Sequence, residues 1–164
     1  MRLMVTAAAA AMMLAACGAE APSEAAPVEA QQTAAVAQIP ADLVRALYAE
    51  PTIPTEPETI RRYFIEEFVT GLTPTDDGTL IDSDYRINGQ DGQADGLVVE
   101  ETASGPEGAH VEARFDNLGA ANTVGFDLCR RDDGAVRIVN VTTAGADGWN
   151  LRRLLELPET PAAC

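Results

Sequence analysis

The sequence predicts an α+β domain in which amino-terminal helices pack on a four-stranded antiparallel meander, closed by a short carboxyl-terminal helix. Three observations carry this. Apolar residues recur at helical spacing between residues 41 and 71, strict alternation takes over from Leu97 in four short runs, and a last helical segment follows Trp149. At 164 residues, 46% apolar and 5% aromatic, the chain can bury one modest core, so one domain is expected, over residues 40–164.

Residues 41–50 place Leu43, Val44 and Leu47 on one helical stripe, and Pro51 and Pro54 stop it. The next helix is marked by Thr55 as cap with Glu58 completing a capping box, by Ile60, Phe64 and Phe68 one turn apart, and by Gly71 at its end. Its buried stripe is Ile60, Phe64, Ile65, Phe68 and Val69, leaving Arg61, Arg62, Glu66 and Glu67 to water. Strands are expected at 97–103, 109–116, 123–130 and 135–142, separated by turn-rich stretches at 105–108, 117–122 and 132–134. Alternation sets Val111, Ala113 and Phe115 opposite His110, Glu112 and Arg114, and likewise aligns Val124, Phe126 and Leu128. The terminal helix is expected at 150–157.

Ahead of this domain, Arg2 precedes an apolar run from Val5 to Ala16, which has the length of a signal-peptide core and is too short to span a bilayer. The run ends Leu14-Ala15-Ala16-Cys17-Gly18, which resembles the lipobox of bacterial lipoproteins. The resemblance implies cleavage before Cys17, acyl chains on that cysteine, and attachment to a membrane from the periplasmic side. Gly18 stands where aspartate would signal retention in the inner membrane, so the outer membrane is the expected address. Residues 17–39 are rich in Ala, Glu, Pro, Ser and Gln and read as a lipidated flexible tether behind a signal segment at 1–16.

Ile81-Asp82-Ser83-Asp84-Tyr85, then Gly89-Gln90-Asp91-Gly92, and the Asp-Asp-Gly turn leading to residues 136–141 resemble an uncharacterised family of small secreted bacterial domains. At fold level that resemblance implies the cone-shaped cystatin-like and nuclear-transport-factor-like α+β domains. It transfers a fold and an address, and no reaction.

Formal net charge is -15, with arginine as the only strong base, so the surface repels phosphate backbones and excludes nucleic acid as a partner. His110 is the single histidine, which rules out paired-histidine metal or catalytic chemistry; it reads as a solvated residue or as a general base on the sheet. Asp91, Gln93 and Asp95, with Gly96 and Leu97, imitate the first half of a calcium loop. Thr102 stands where the bidentate Glu belongs, so a plain turn is the simpler reading and no metal or cofactor is expected. Neighbouring carboxylates such as Glu100 and Glu101 point to opposite faces of a strand and form no dyad. Tyr85, Phe115, Phe126 and Trp149 read as core, or as the lining of a pocket enclosed by a cone-shaped sheet.

With Cys17 taken by lipid, Cys129 and Cys164 remain as an even pair in an oxidising compartment, and a disulfide between them would pin the tail beyond Pro158 across the sheet. The function expected is a non-catalytic binding module of the cell envelope that contacts an envelope protein, peptidoglycan or a small ligand. The alternatives are a small pocket enzyme of isomerase or hydratase type, built on one buried carboxylate and Tyr85, and an inhibitor or immunity protein that plugs a wall hydrolase with its acidic surface.

Overall fold

Strands that alternate apolar and polar side chains bury one face and leave the other to solvent. The computed structural model describes residues 38–164 apart from 77, 79–80 and 145–147; the expected signal segment, Cys17 and the tether to residue 37 lie outside the described residues. Within it the chain is α+β: helices α1 (Pro40–Ala49), α2 (Pro57–Tyr63) and α3 (Glu67–Leu72), strands β1 (Asp95–Ser104), β2 (Gly108–Asn117), β3 (Ala120–Arg130) and β4 (Val136–Thr143), and the short α4 (Leu151–Leu154). The sheet is antiparallel in the order β1-β2-β3-β4. α1 lies against β1, β2 and β4, and α2 and α4 against β4. Val44, Leu47, Ile60, Phe64 and Phe68 meet Val111, Val124, Phe126, Ile138 and Val141 in one core.

The helix expected from Thr55 to Gly71 is two helices. Phe64 leaves helical geometry at φ -111 and ψ 162, pairs in parallel with Ile138, and Ile65 donates its N–H to the Ile138 carbonyl at 3.2 Å. Covering the edge of β4 outweighs one more helical turn, and the residues of the stripe are still buried, save Val69, which is half-buried. The expected capping box does not form either: α2 starts at Pro57 with Glu56 as its N-cap and no side-chain cap. Proline fixes the first turn by itself.

Strand bounds shift by two or three residues at most, with one consequence. The β2–β3 connection is Leu118 and Gly119 alone, both at positive φ (52° and 81°), instead of the broad turn expected at 117–122. α4 also ends before the expected residue 157, because Glu156 turns to φ 55°. Asn150 caps it, its side chain accepting the Arg153 N–H.

Two buried arginines tie these elements together. Arg86 donates to the carbonyls of Leu47 and Glu50 at 3.1 and 2.9 Å, satisfying the last turn of α1, which has no basic residue of its own. Its other nitrogens grip Asp84 at 2.6 to 3.1 Å. Arg152 donates to Pro158 O at 2.6 Å, Val139 O at 3.1 Å and Glu67 at 2.5 Å, and Glu67 also accepts the Ala162 N–H at 2.6 Å. The tail so held ends in a disulfide between Cys164 and Cys129, with Cα atoms 5.7 Å apart.

The two edges of the sheet differ. β4 is covered by Phe64 and Ile65 at Ile138 and by Trp149 and Asn150 at Thr142 and Thr143. β1 is an open edge, interrupted by irregularities between Asp95 and Val98 and between Glu101 and Ala103. Arg45 takes its Val99 carbonyl at 2.7 Å.

Two outcomes follow for the tail. Its disulfide spans 35 residues, which by chain entropy corresponds to about 4 kcal/mol; Cys129→Ser lowers the melting temperature by about 10 °C or more in calorimetry. The Ala162 N–H, and after it the Arg152 guanidinium, hold the Glu67 carboxyl below its ordinary value of 4.5. A depressed carboxyl contributes stability that is complete above the ordinary value and lost as pH falls through the folded one. The melting-temperature gap between wild type and Glu67→Gln is therefore constant near neutral pH and closes in acid; a gap independent of pH would show that Glu67 acts without its charge.

Candidate functional site

The uncovered face of the sheet carries the chain's polar side chains in cross-strand rows. Residues of β2 and β3 pair at equal distances from the Leu118–Gly119 turn, which sets His110 opposite Asp127 and Glu112 opposite Gly125. His110 Nδ1 lies 2.7 Å from Asp127 Oδ1. A proton on Nδ1 donated to Asp127 leaves Nε2 as an acceptor over Gly125. A β-carbon on Gly125 would stand 3.2 Å from that Nε2 and 3.1 Å from Thr142 Oγ1, so the bare glycine makes room for the imidazole and opens the way to Thr142. On the β1 side Arg114 bridges Glu100 and Glu112.

Thr142 also begins a second feature. Where the chain leaves β4 it doubles back, Thr143 N donating to Trp149 O at 3.0 Å and Trp149 N to Thr143 Oγ1 at 3.1 Å. Thr142, Thr143, Trp149, Asn150, Arg153 and Leu154 border an open groove of about 590 Å³. Trp149 packs partly on the core and its indole Nε1 donates to Asn88 Oδ1 at 2.6 Å. Leu154 is 49% exposed.

The four aromatic candidates do not line one cavity. Phe115 and Phe126 flank Tyr48 in the core, at 5.9 and 6.1 Å between ring centres. Tyr85 meets Phe64 edge-on at 5.7 Å; burial pushes its phenol far above the ordinary value, and its oxygen has no hydrogen-bond partner among the described residues. Trp149 alone borders the groove. Tyr63 is held up to about 12 by burial and by donation to Glu50.

The calcium-like loop is folded around a side-chain amide. Asn117 Nδ2 donates to the carbonyls of Ile87 and Asp91 at 3.1 and 3.3 Å, and its Oδ1 accepts the Gln93 N–H at 3.2 Å. A β-carbon at Gly92, φ 104°, would fall 1.8 Å from that Oδ1, so the loop needs glycine there. Gln93 Nε2 meanwhile donates to Asp95 at 2.6 Å. No group of three or more metal-ligating side chains occurs among the described residues.

Alternation located His110, and the disulfide pair followed from cysteine number. Asp127 as the partner of His110 was readable only with the two-residue turn, which sets the register. Arg153 and Asn150 carried no signal as site residues, because their use depends on which face of α4 is buried. No protein-family model matches the chain, and neither does any curated protein or solved structure.

Gly125→Val fills the space beneath the imidazole and separates His110 from Asp127. The expected outcome is loss of a slowly exchanging imidazole N–H resonance in proton NMR with the fold intact; an unchanged resonance would mean that the ring does not depend on the glycine.

Proposed function

We propose that the chain is a bacterial lipoprotein, anchored through Cys17 on the periplasmic side of the outer membrane, whose domain is a non-catalytic binding module of the cell envelope. The observation that carries this reading is the cysteine arrangement. Of three cysteines, Cys129 and Cys164 are joined, a pairing suited to an oxidising compartment, and the third stands at the end of Leu14-Ala15-Ala16-Cys17.

The layout of the domain supports it. Gln38, where the described chain begins, is bound at the β3–β4 turn, its N–H donating to Gly134 O and its side-chain oxygen accepting from Val136 N, each at 3.3 Å. The groove lies at the other end of β4, beside Thr142 and Thr143. Entry from the tether and the groove thus occupy opposite ends of one strand. Among the described residues no helix is long and apolar enough to cross a membrane, which leaves anchoring to the amino terminus in this reading. In the same reading the one-sided sheet belongs with cystatin-like and nuclear-transport-factor-like domains, on the motifs at 81–92.

The His110–Asp127 pair, with the imidazole over Gly125, favours a second reading as a small acid–base enzyme of isomerase or hydratase type. Turnover in a broad substrate screen, lost in His110→Gln, would put that reading first.

The anchor has a direct test. Wild type is expected to partition with membranes and to carry an acylated amino-terminal cysteine by mass spectrometry, whereas Cys17→Ala is uncleaved or soluble. An unmodified amino terminus in wild type would end the reading.

A further inference from the structure

Beyond Leu157, which packs partly on the core, the tail buries almost nothing. Of residues 158–164 only Pro161 is half-buried and the rest are exposed, and no helix or strand follows α4 among the described residues. Three ties hold this segment instead. Pro158 O sits on the Arg152 guanidinium and the Ala162 N–H on Glu67, each at 2.6 Å, and Cys164 is bonded to Cys129. A segment with so little buried apolar area opens at far lower cost than the domain unfolds. The disulfide is therefore the tie that keeps it shut.

The two sulfurs are not equivalent. Cys164 is exposed and Cys129 half-buried. Cys164 borders an open depression of about 400 Å³ with Arg130, Arg131, Asp132 and Asp133, which leaves room for an approaching thiol. Cys129 pairs across the ladder with Gly108, which has no side chain to cover it, and on the other side with Arg137. Burial lowers the Arg137 guanidinium from its ordinary value, and the charge of Arg131 lowers it further against the opposing pull of Asp133. Two arginines are thus drawn together beside Cys129. Positive charge favours a thiolate, and a disulfide breaks faster toward the sulfur whose thiol is the stronger acid. Access favours attack on Cys164, and charge favours Cys129 as the leaving sulfur.

We propose that the Cys129–Cys164 bond is an exchange site for external thiols and a latch for the tail: a dithiol reductant opens it at Cys164, and the freed segment leaves Glu67 and Arg152. The reductant's thiolate attacks Cys164 Sγ and forms a mixed disulfide, while the Cys164–Cys129 bond breaks and its electron pair leaves on Cys129. The reductant's second thiolate then attacks its own sulfur in the mixed disulfide and expels Cys164. Two electrons and two protons have passed from the dithiol, now a disulfide, to Cys129 and Cys164. The site needs neither the lipid anchor nor the binding-module reading, only a dithiol of the thioredoxin-like class in the same compartment. Opening withdraws the Ala162 N–H from Glu67, the bond that does most to hold that carboxyl down. The latch and the acid response of the domain are therefore coupled.

Three measurements on the purified full chain test the latch. Dithiothreitol in native buffer is expected to release two thiols beyond any present beforehand, with the circular dichroism of the sheet retained. The rate should lie within about tenfold of that in denaturant, whereas a disulfide reached only through global unfolding reacts about a thousandfold slower or more in native buffer. Slowing of that size, or loss of the sheet on reduction, would overturn the latch. With glutathione as a monothiol, quenched by acid early in the reaction, peptide mass spectrometry is expected to find the adduct on Cys164. An adduct on Cys129 would overturn the direction of attack. Lastly, the melting-temperature gap between wild type and Glu67→Gln near neutral pH should shrink on reduction, because the freed tail no longer brings the Ala162 N–H to the carboxylate. An unchanged gap would mean that the tail stays docked without its bond, and the latch assignment would be wrong.

Discussion

A guanidinium removed from water has to find acceptors for its N–H groups inside the protein, and Arg152 finds them on three separate pieces of chain. Glu67 comes from α3, Val139 from the irregular point of β4, and Pro158 from the tail. Its ring-face contact with Phe68, 5.7 Å to the centroid, adds the core itself. Breaking such a pair by removing one partner leaves an uncompensated buried charge, typically a matter of about 3 to 5 kcal/mol. Much else is arranged around this residue. The tail can reach Cys129 because Glu67 and Arg152 hold it on the way, and α4 presents Arg153 outward because Arg152 is turned in.

Periodic elements were legible and the connections that join them were not. α1 and all four strands lie within a few residues of their expected bounds, since alternation and helical spacing record which side chains meet the core. The segment around Phe64 was misread because one apolar stripe serves equally as a continuous helix or as two short helices flanking an extended residue. The choice is made by the exposed edge of β4, a non-local partner without any local signal. The Leu118–Gly119 turn was missed for a related reason: leucine at positive φ is costly, and it is tolerated because the ladders on either side are complete.

The site was legible only in part. His110 on the polar side of β2, the Cys129–Cys164 pair and the placement of Trp149 outside the strands were all in the sequence. The acidic Asp91-to-Asp95 stretch looked like the start of a cation loop, and its glycine and polar residues do serve a tight turn. What fills the turn is the amide of Asn117, distant by more than twenty residues, with both donor and acceptor matched to backbone groups. An amide and a cation place similar demands on a loop: inward carbonyls and a glycine where a β-carbon would collide. Sequence motifs of this kind therefore identify the turn and leave its contents open.

The unequal treatment of the two sheet edges bears on how copies behave when crowded together. Copies at high concentration meet edge to edge more often than in dilute solution, and an unguarded ladder would template fibrils. Along β1, Asp95, Glu100 and Glu101 place exposed carboxylates on the open edge, and the two irregularities break the run of backbone groups that pairing with a second copy requires. With β4 already occupied by its own chain, neither edge offers a second copy an uninterrupted ladder.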